Sequence, residues 1–474
     1  MLKRHITDTS SVDLTSYIQS HNLAWSEITL YVKLHKKQIY EFSRIGDTLT
    51  VHTLQKELFT SKEACILALR HVLNTKSQYR FSFKYTTNDF LFFNSDKLLK
   101  SLACVGDEND HYRLNLVIQE LLIMVFRPEW EARLEENSYG FSSNLIVNQA
   151  IIKAYSILSE NKTYDSSTIL VGSLSEWFQT FNYSLALKKS NCSAYFKRYL
   201  ESICCEFLLS SSRKLVSKKF QSIGITVFPY NSIPSLLSDI LFYGLEMSLH
   251  WKSKIFCDDS SKYCDNNIKT IVCCDHFIVI FPHNDLKWIS LIVNAIKSFF
   301  DSLSITLHNS SMTVRSIHDG FDFLGFNFKR YYNEGGCDYQ QTKLILKPSK
   351  SNIKKHLLSI RHCLYHKDRL NRWRANTQMT QYDVINQLNP LIKDFSHYYR
   401  DLIPSYILNT LDRTLNQVIY RYAIKRYKSN KSQKWTENWT TVVNGKKVIA
   451  YKNDTSKGYK LLYLHNQNNY SQRI

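Results

Sequence analysis

TIVCCDHFIVIF, running from Thr270 to Phe281, is a near-continuous apolar stretch set between polar segments. Such a stretch fits a central strand or a hairpin buried on both faces of a sheet. TILVGSL, at Thr168 to Leu174, is a second β-rich run. GFDFLGFNFKRYY, at Gly320 to Tyr332, alternates aromatic and polar residues with the period of a strand, and NEGG at Asn333 to Gly336 supplies the turn after it. Strand patterns fill the middle of the chain and helical patterns its two ends, so the predicted fold class is α+β.

The first 85 residues read as amphipathic helix. Trp25, Ile28, Val32 and Ile39 recur at helical spacing with Lys33, Lys36 and Lys37 nearby, and Ser61 is placed to cap a helix carrying Ala64, Ala68, Leu69 and Val72. A polar connector spans Lys76 to Lys84, and Leu114 to Ala132 is again helix-like. Three further helices are predicted near the end. Ser349 caps one with Ile353, Leu357, Ile360 and Leu364 on its face. Thr380 and Asp383 form a capping-box start for Val384, Leu388, Leu391, Ile392 and Phe395, with Pro390 expected to kink that helix. Pro404 opens the third, with Leu408, Leu411, Leu415, Val418 and Tyr422. The apolar stripes read as core.

The 474 residues include 61 Lys and Arg against 41 Asp and Glu, a net charge of +20. From Lys343 to the end there are 25 basic and 7 acidic residues, a net of +18, which leaves only +2 for everything before it. A field concentrated in the last quarter attracts a polyanion, because each phosphate neutralised releases condensed counterions; nucleic acid is the expected partner. Hydrophobic residues at 44% argue against a disordered chain, and 12 Gly with 7 Pro exclude collagen-like or Gly-loop-rich designs. No uncharged apolar run reaches the ~18 residues that span a bilayer, and the start lacks the apolar core of a signal peptide, so no membrane partner is expected. The 11 Cys include no C-x-x-C pair. Cys204–Cys205 and Cys273–Cys274 are adjacent, a spacing unsuited to a structural zinc site or an ordinary disulfide.

Several blocks of the chain resemble group II intron-encoded proteins, the reverse transcriptase and maturase family. Trp25 to Arg44 and Leu54 to Val72 resemble its N-terminal extension, and RPEWEARLEENSYGF, Arg127 to Phe141, its fingers segment. Asp319 to Tyr331 with Leu346 to Lys355 resemble the end of the palm and the start of the thumb. Leu388 to Arg400 and Asn409 to Trp435 resemble the maturase domain. The resemblance implies a right hand: a helical extension (1–85), fingers and palm with an antiparallel sheet (86–342), and a basic α-helical thumb and maturase domain (343–474). The family's C-terminal endonuclease has no counterpart after Trp439.

The departures bear on chemistry. Active members hold two Mg²⁺ ions on three palm aspartates, since this hard cation takes oxygen ligands and must clamp both the attacking and the leaving oxygen. Here Ser173 falls where the first aspartate is expected, and the YADD position reads Cys273, Cys274, Asp275, His276. The segment expected to carry PQG reads Phe228, Pro229, Tyr230. One carboxylate of three cannot bind the metal pair, so no catalytic residue, metal or cofactor is expected. His276, Cys273 and Cys274 are not expected to converge on a metal, because adjacent residues of a strand face opposite ways.

The resemblance therefore implies a maturase that stabilises a folded intron, group II or derived, without polymerase activity. An active RNA-directed DNA polymerase and a general RNA chaperone remain as alternatives. The degree of departure resembles that of the maturase-like proteins of euglenoid and other algal chloroplasts, and the AT-biased composition suits an organelle, with the plastid ahead of the mitochondrion. Candidate RNA contacts are Lys33, Lys36 and Lys37 near the start; Lys354, Lys355 and Arg361 on the first thumb helix; and Lys393 and Arg400 on the second. Arg421, Lys425, Arg426 and Lys428 are expected along the third, at spacings that put like charges on one face. Lys431 and Lys434 follow. Tyr399 and Trp435 are candidates to stack on unpaired bases, although Tyr398 and Tyr399 equally suit packing against the thumb core.

Overall fold

The computed structural model describes residues 24–75, 108–135, 137–139, 144–160, 167–173, 183–209, 233–258, 268–273, 276–282, 284–303, 305, 312–332, 342–443, 446–452 and 459–466. The fold is mixed α+β, with several small sheets and a helix-rich C-terminal region.

The apolar run forms a hairpin, β3 (Lys269–Cys273) with β4 (His276–Phe281), whose register pairs Cys273 with His276. β1 (Ser138–Tyr139), β2 (Thr168–Ser173) and β5 (Met312–Ser316) complete a sheet in the order β1-β3-β4-β2-β5, in which only the β1–β3 pair is parallel. Both faces are covered, which is why the run is apolar at nearly every position. Ile169, Ile271, Cys273, Ile278 and Ile280 pack toward α5 (Asn144–Glu160) and the sheet that follows β5. Leu170, Val272, Phe277, Val279 and Phe281 pack toward α8 (Ile233–Phe242), α9 (Leu245–Asp258) and α10 (Leu286–Ser302). A separate core joins α1 (Trp25–Ile45), α2 (Thr48–Thr60) and α3 (Lys62–Thr75) to α4 (Glu108–Arg133), α6 (Tyr183–Ser190), α7 (Ala194–Leu209) and α8. As expected, Ser61 caps α3, its hydroxyl accepting from the Ala64 amide. The expected connector at Lys76 to Lys84 lies outside the described residues, as do Phe228 to Tyr230 and the NEGG turn.

The expected single strand over Gly320 to Tyr332 is instead two, β6 (Phe321–Phe323) and β7 (Phe326–Tyr332), paired antiparallel across a turn at Leu324 and Gly325. Both turn residues have positive φ, +47° and +80°, the geometry of a two-residue hairpin connection that matches the twist of its strands. β8 (Thr342–Pro348) adds to β7.

The C-terminal region is not purely helical. α11 (Lys350–Leu364), α12 (Gln381–Tyr399), α13 (Ser405–Ile424) and α14 (Lys431–Trp439) are joined by a hairpin, β9 (Tyr365–Lys367) with β10 (Trp373–Ala375), and by a sheet of β11 (Thr440–Val443), β12 (Lys446–Lys452) and β13 (Tyr459–Leu461). Ser349 caps α11, Thr380 and Asp383 form the reciprocal capping box of α12, and Pro404 precedes α13. The α12 helix continues through Pro390.

A buried chain of polar side chains locks this region. Asp412 accepts from Nδ1–H of His465 at 2.7 Å, which leaves Nε2 of His465 to accept from Nε2–H of His356 at 2.9 Å. His356 is fully buried against Phe395. Burial, reinforced by His465, pushes its pKa down to about 3. The unfolded chain takes up a proton near pH 6.5 that the folded chain refuses until about pH 3, so the His356 contribution is intact above pH 6.5 and is lost as pH falls. A loss of about 2 kcal/mol is expected between pH 7 and pH 5. Urea midpoints should show it, and His356→Phe should flatten the pH dependence; equal slopes for both proteins would refute this origin.

Candidate nucleic-acid interface

Ser173 and His276 are cross-strand partners on β2 and β4, and Cys273 faces His276 from β3. Cross-strand partners share a face of a sheet, so Ser173, Cys273 and His276 converge, contrary to the expectation for Cys273 and His276. The expectation treated them as neighbours in one strand, whereas a two-residue connection intervenes. That connection, Cys274 and Asp275, lies outside the described residues. Among the described residues no group of three or more His, Cys, Asp or Glu is arranged to hold a metal ion, and no helix is long and apolar enough to cross a membrane.

The basic residues gather elsewhere. A cleft of about 720 Å³ opens between α11, the β9–β10 hairpin and the end of α13. Lys350, Lys354 and Arg361 line it from α11, Arg421 and Lys425 from α13 and its C-cap, and Tyr365 and Trp373 from the hairpin; no Asp or Glu is among the lining residues. Among the described residues none of the five cations is in an ion pair. Two of them instead lie over aromatic rings, Arg361 at 4.4 Å from the centre of Trp373 and Lys425 at 4.9 Å from that of Tyr365, joined by Lys367 at 5.5 Å from Trp373. The rings hold the cations in place, and the carboxyl end of the α13 dipole favours Arg421 and Lys425. The cleft is thus a fixed array of positive charge whose self-repulsion an anionic ligand relieves.

Of the expected contacts, Lys354, Arg361, Arg421 and Lys425 meet in the cleft, while others do not. Tyr399 is fully buried, its hydroxyl donating to the Gly325 carbonyl at 2.9 Å and accepting from Asn352, so it has no face to offer a base. Trp435 is half-buried, stacked on Trp439 at 5.9 Å and edge-on to Tyr420, which removes it as an open stacking platform. The α13 helix stops at Ile424, so Arg426 and Lys428 do not continue the face of Arg421. Lys36 is half-buried against α4; burial and the neighbouring Arg127 lower its pKa, partly offset by Glu120 and Glu131. Lys393 lies over the Tyr463 ring, Arg400 pairs with Asp401 at 3.6 Å, and Lys434 lies over Tyr427. Lys33, Lys37, Lys355 and Lys431 are exposed outside the cleft, with Lys37 paired to Glu41. Lys350, Tyr365 and Trp373 were not expected at the site. Lys350 and Lys354 at i,i+4 were the legible signal; the two rings come from a hairpin with no apolar alternation to reveal it.

Residues 364–439 match the family model described as the group II intron, maturase-specific domain. That span runs from the last residue of α11 to the last residue of α14. Maturase-like protein 1 of Euglena longa is 21% identical over 412 residues, covering 80% of this chain and 78% of that protein. The chain is a distant relative of group II intron maturase-like proteins. Maturase-like protein 1 of Euglena gracilis is 23% identical over 340 residues, 65% of each chain. The maturase-matching span contributes Tyr365, Trp373, Arg421 and Lys425 to the cleft, whereas Lys350, Lys354 and Arg361 precede it.

Proposed function

We propose that this protein is a splicing maturase: it binds an intron RNA, group II or derived, along the cleft between α11, the β9–β10 hairpin and α13, and stabilises the folded intron, the RNA supplying the chemistry. The observation that carries this is an acid-free cleft of five cations, two of which, with both aromatic rings, belong to the maturase-matching span, while the other three precede it on α11. The mixed sheet bearing Ser173 and His276 side by side supports a right-hand arrangement with a palm between a helical extension ending near residue 85 and a basic thumb from about 343. The client RNA belongs to an organelle, the plastid ahead of the mitochondrion.

The protein works without polymerase activity. Ser173 offers a hydroxyl and His276 an imidazole where carboxylates would carry Mg²⁺, and the electrostatic clamp on the transferring phosphate commonly supplies the greater part of such catalysis. Purified protein given primed RNA, deoxynucleotides and Mg²⁺ should make no cDNA. Synthesis abolished by Asp275→Ala would overturn the non-catalytic reading. The maturase reading itself is tested by comparing affinity for an intron of the host organelle with that for an unrelated folded RNA of equal length; equal affinities would favour a general chaperone.

A further inference from the structure

The face of the β9–β10 hairpin turned away from the cleft carries a second arrangement, built around Asp368. Its Oδ1 accepts from the amides of Leu370 and Arg372 at 3.0 and 2.9 Å, which fixes the turn. Its Oδ2 accepts from Nε of Arg372 at 3.0 Å and from Nε of Arg374 at 3.1 Å. Two guanidinium groups are therefore held side by side on one carboxylate, each by a single nitrogen. The Nη nitrogens of both have no partner among the described residues, and the side chains are 58% and 55% exposed. Arg369 and Lys367 are also exposed, and Leu370, at the turn, is 69% exposed.

A guanidinium presents its donors in a planar fork that matches the oxygens of a phosphate, and fixing its plane in advance removes the entropy otherwise lost on binding. Along β10, successive side chains point to opposite faces, so Trp373 turns to the cleft while Arg374 turns away from it, and Arg372, just before the strand, joins Arg374 on the Asp368 carboxylate. The hairpin thus presents cations on both faces around an exposed apolar tip. That is the shape of an element inserted between two phosphate-lined walls.

We infer that the β9–β10 hairpin inserts into the major groove of a folded RNA, the Arg372–Arg374 pair gripping phosphates of one strand while the cleft face engages the other. The inference rests on the RNA-binding role proposed for the cleft. The major groove of regular A-form RNA is deep and too narrow for side chains, so the site suited to the hairpin is one opened by unpaired nucleotides.

The test uses the full chain and two fluorescent RNA duplexes of the same sequence, one uninterrupted and one carrying a short bulge. The wild type should prefer the bulged duplex by at least about tenfold. Asp368→Asn is the decisive variant, because it raises the positive charge of the hairpin while releasing the two guanidiniums: attraction by charge alone predicts tighter binding, and a pre-set pair predicts loss of the preference. Arg372→Lys with Arg374→Lys keeps the charge, removes the fork, and should lose the preference too, which guards against a folding defect in the first variant. A preference retained by both variants overturns the hairpin inference while leaving the cleft reading in place. Cleft variants that weaken both duplexes equally bear out the separation of the two sites. A wild type that binds neither duplex also overturns the hairpin inference, while the cleft reading stands or falls on affinity for the intron.

Discussion

Replacing Arg361, Arg421 and Lys425 together by Ala should weaken binding to an intron RNA by about a hundredfold or more at 0.1 M salt. It should also flatten the dependence of log K on log salt by roughly one unit for each phosphate that is no longer neutralised. Each such unit is about a decade of affinity between 1 M and 0.1 M salt, and the three side chains come from two helices that converge on one cleft. Lys33→Ala, Lys37→Ala and Lys428→Ala combined removes the same charge from exposed positions outside the cleft, and should change affinity by only a few-fold. Filter-binding isotherms across a salt series distinguish the two sets. Equal effects would mean that net charge alone, and no cleft, holds the RNA. Because Arg361 also covers the Trp373 ring, a urea melt of the triple variant should accompany the isotherms, with a modest loss of stability expected.

The second large effect concerns folding. Gly325→Ala should destabilise the protein by about 3 kcal/mol, where Gly46→Ala costs about 1. Both glycines have positive φ, +80° and +86°, but a Cβ at Gly46 meets nothing within 4 Å, whereas one at Gly325 would lie 2.3 Å from the Asn352 amide nitrogen and 3.0 Å from the Tyr399 hydroxyl. The Gly325 turn is where the sheet of β6 to β8 is fastened to the helical region. Its carbonyl accepts from the Ser349 amide and the Tyr399 hydroxyl, and the neighbouring Leu324 carbonyl accepts from Tyr398. Movement there shifts both α11 and α12, hence one wall of the cleft. Urea denaturation of the two variants measures the difference, and equal losses would show that the crowding at Gly325 is relieved at no cost.

The same turn illustrates what could be read in the sequence. Side chains that act within a few residues were legible: the Ser349 cap, the Thr380–Asp383 box and Pro404 before α13 all depend on local backbone geometry. The hairpin at Leu324–Gly325 was not, although a two-residue connection shifts the period-2 pattern by one: Phe321 and Phe323 are buried before it and Phe326 and Phe328 after it. Leu324, itself apolar, masks that shift inside GFDFLGFNF, so the segment reads as one strand, whereas the run from Thr270 to Phe281 is apolar at nearly every position and reads equally as strand or hairpin. Tyr399, which suited both a stacked base and the thumb core, takes the second place. It lies four residues after Phe395 on the buried face of α12, and the cations beside it in sequence occupy other faces. Half of the cleft, Lys354, Arg361, Arg421 and Lys425, followed from basic residues on two predicted helices, although Lys350, the i,i+4 neighbour of Lys354, was passed over. The other half needed β9 and β10, whose charged HKDRLNRWR segment offers no hydrophobic period to detect.

The central claim is that the protein holds a particular RNA and leaves the chemistry to it. Crosslinking the protein to RNA inside its own compartment, and mapping the contacts, tests this most directly. Crosslinks should concentrate on one or a few intron sequences, be carried by peptides containing Arg361, Trp373 and Lys425, and fade for the cleft triple variant. Crosslinks spread over exons, ribosomal and transfer RNA in proportion to abundance, or unchanged in that variant, would contradict it.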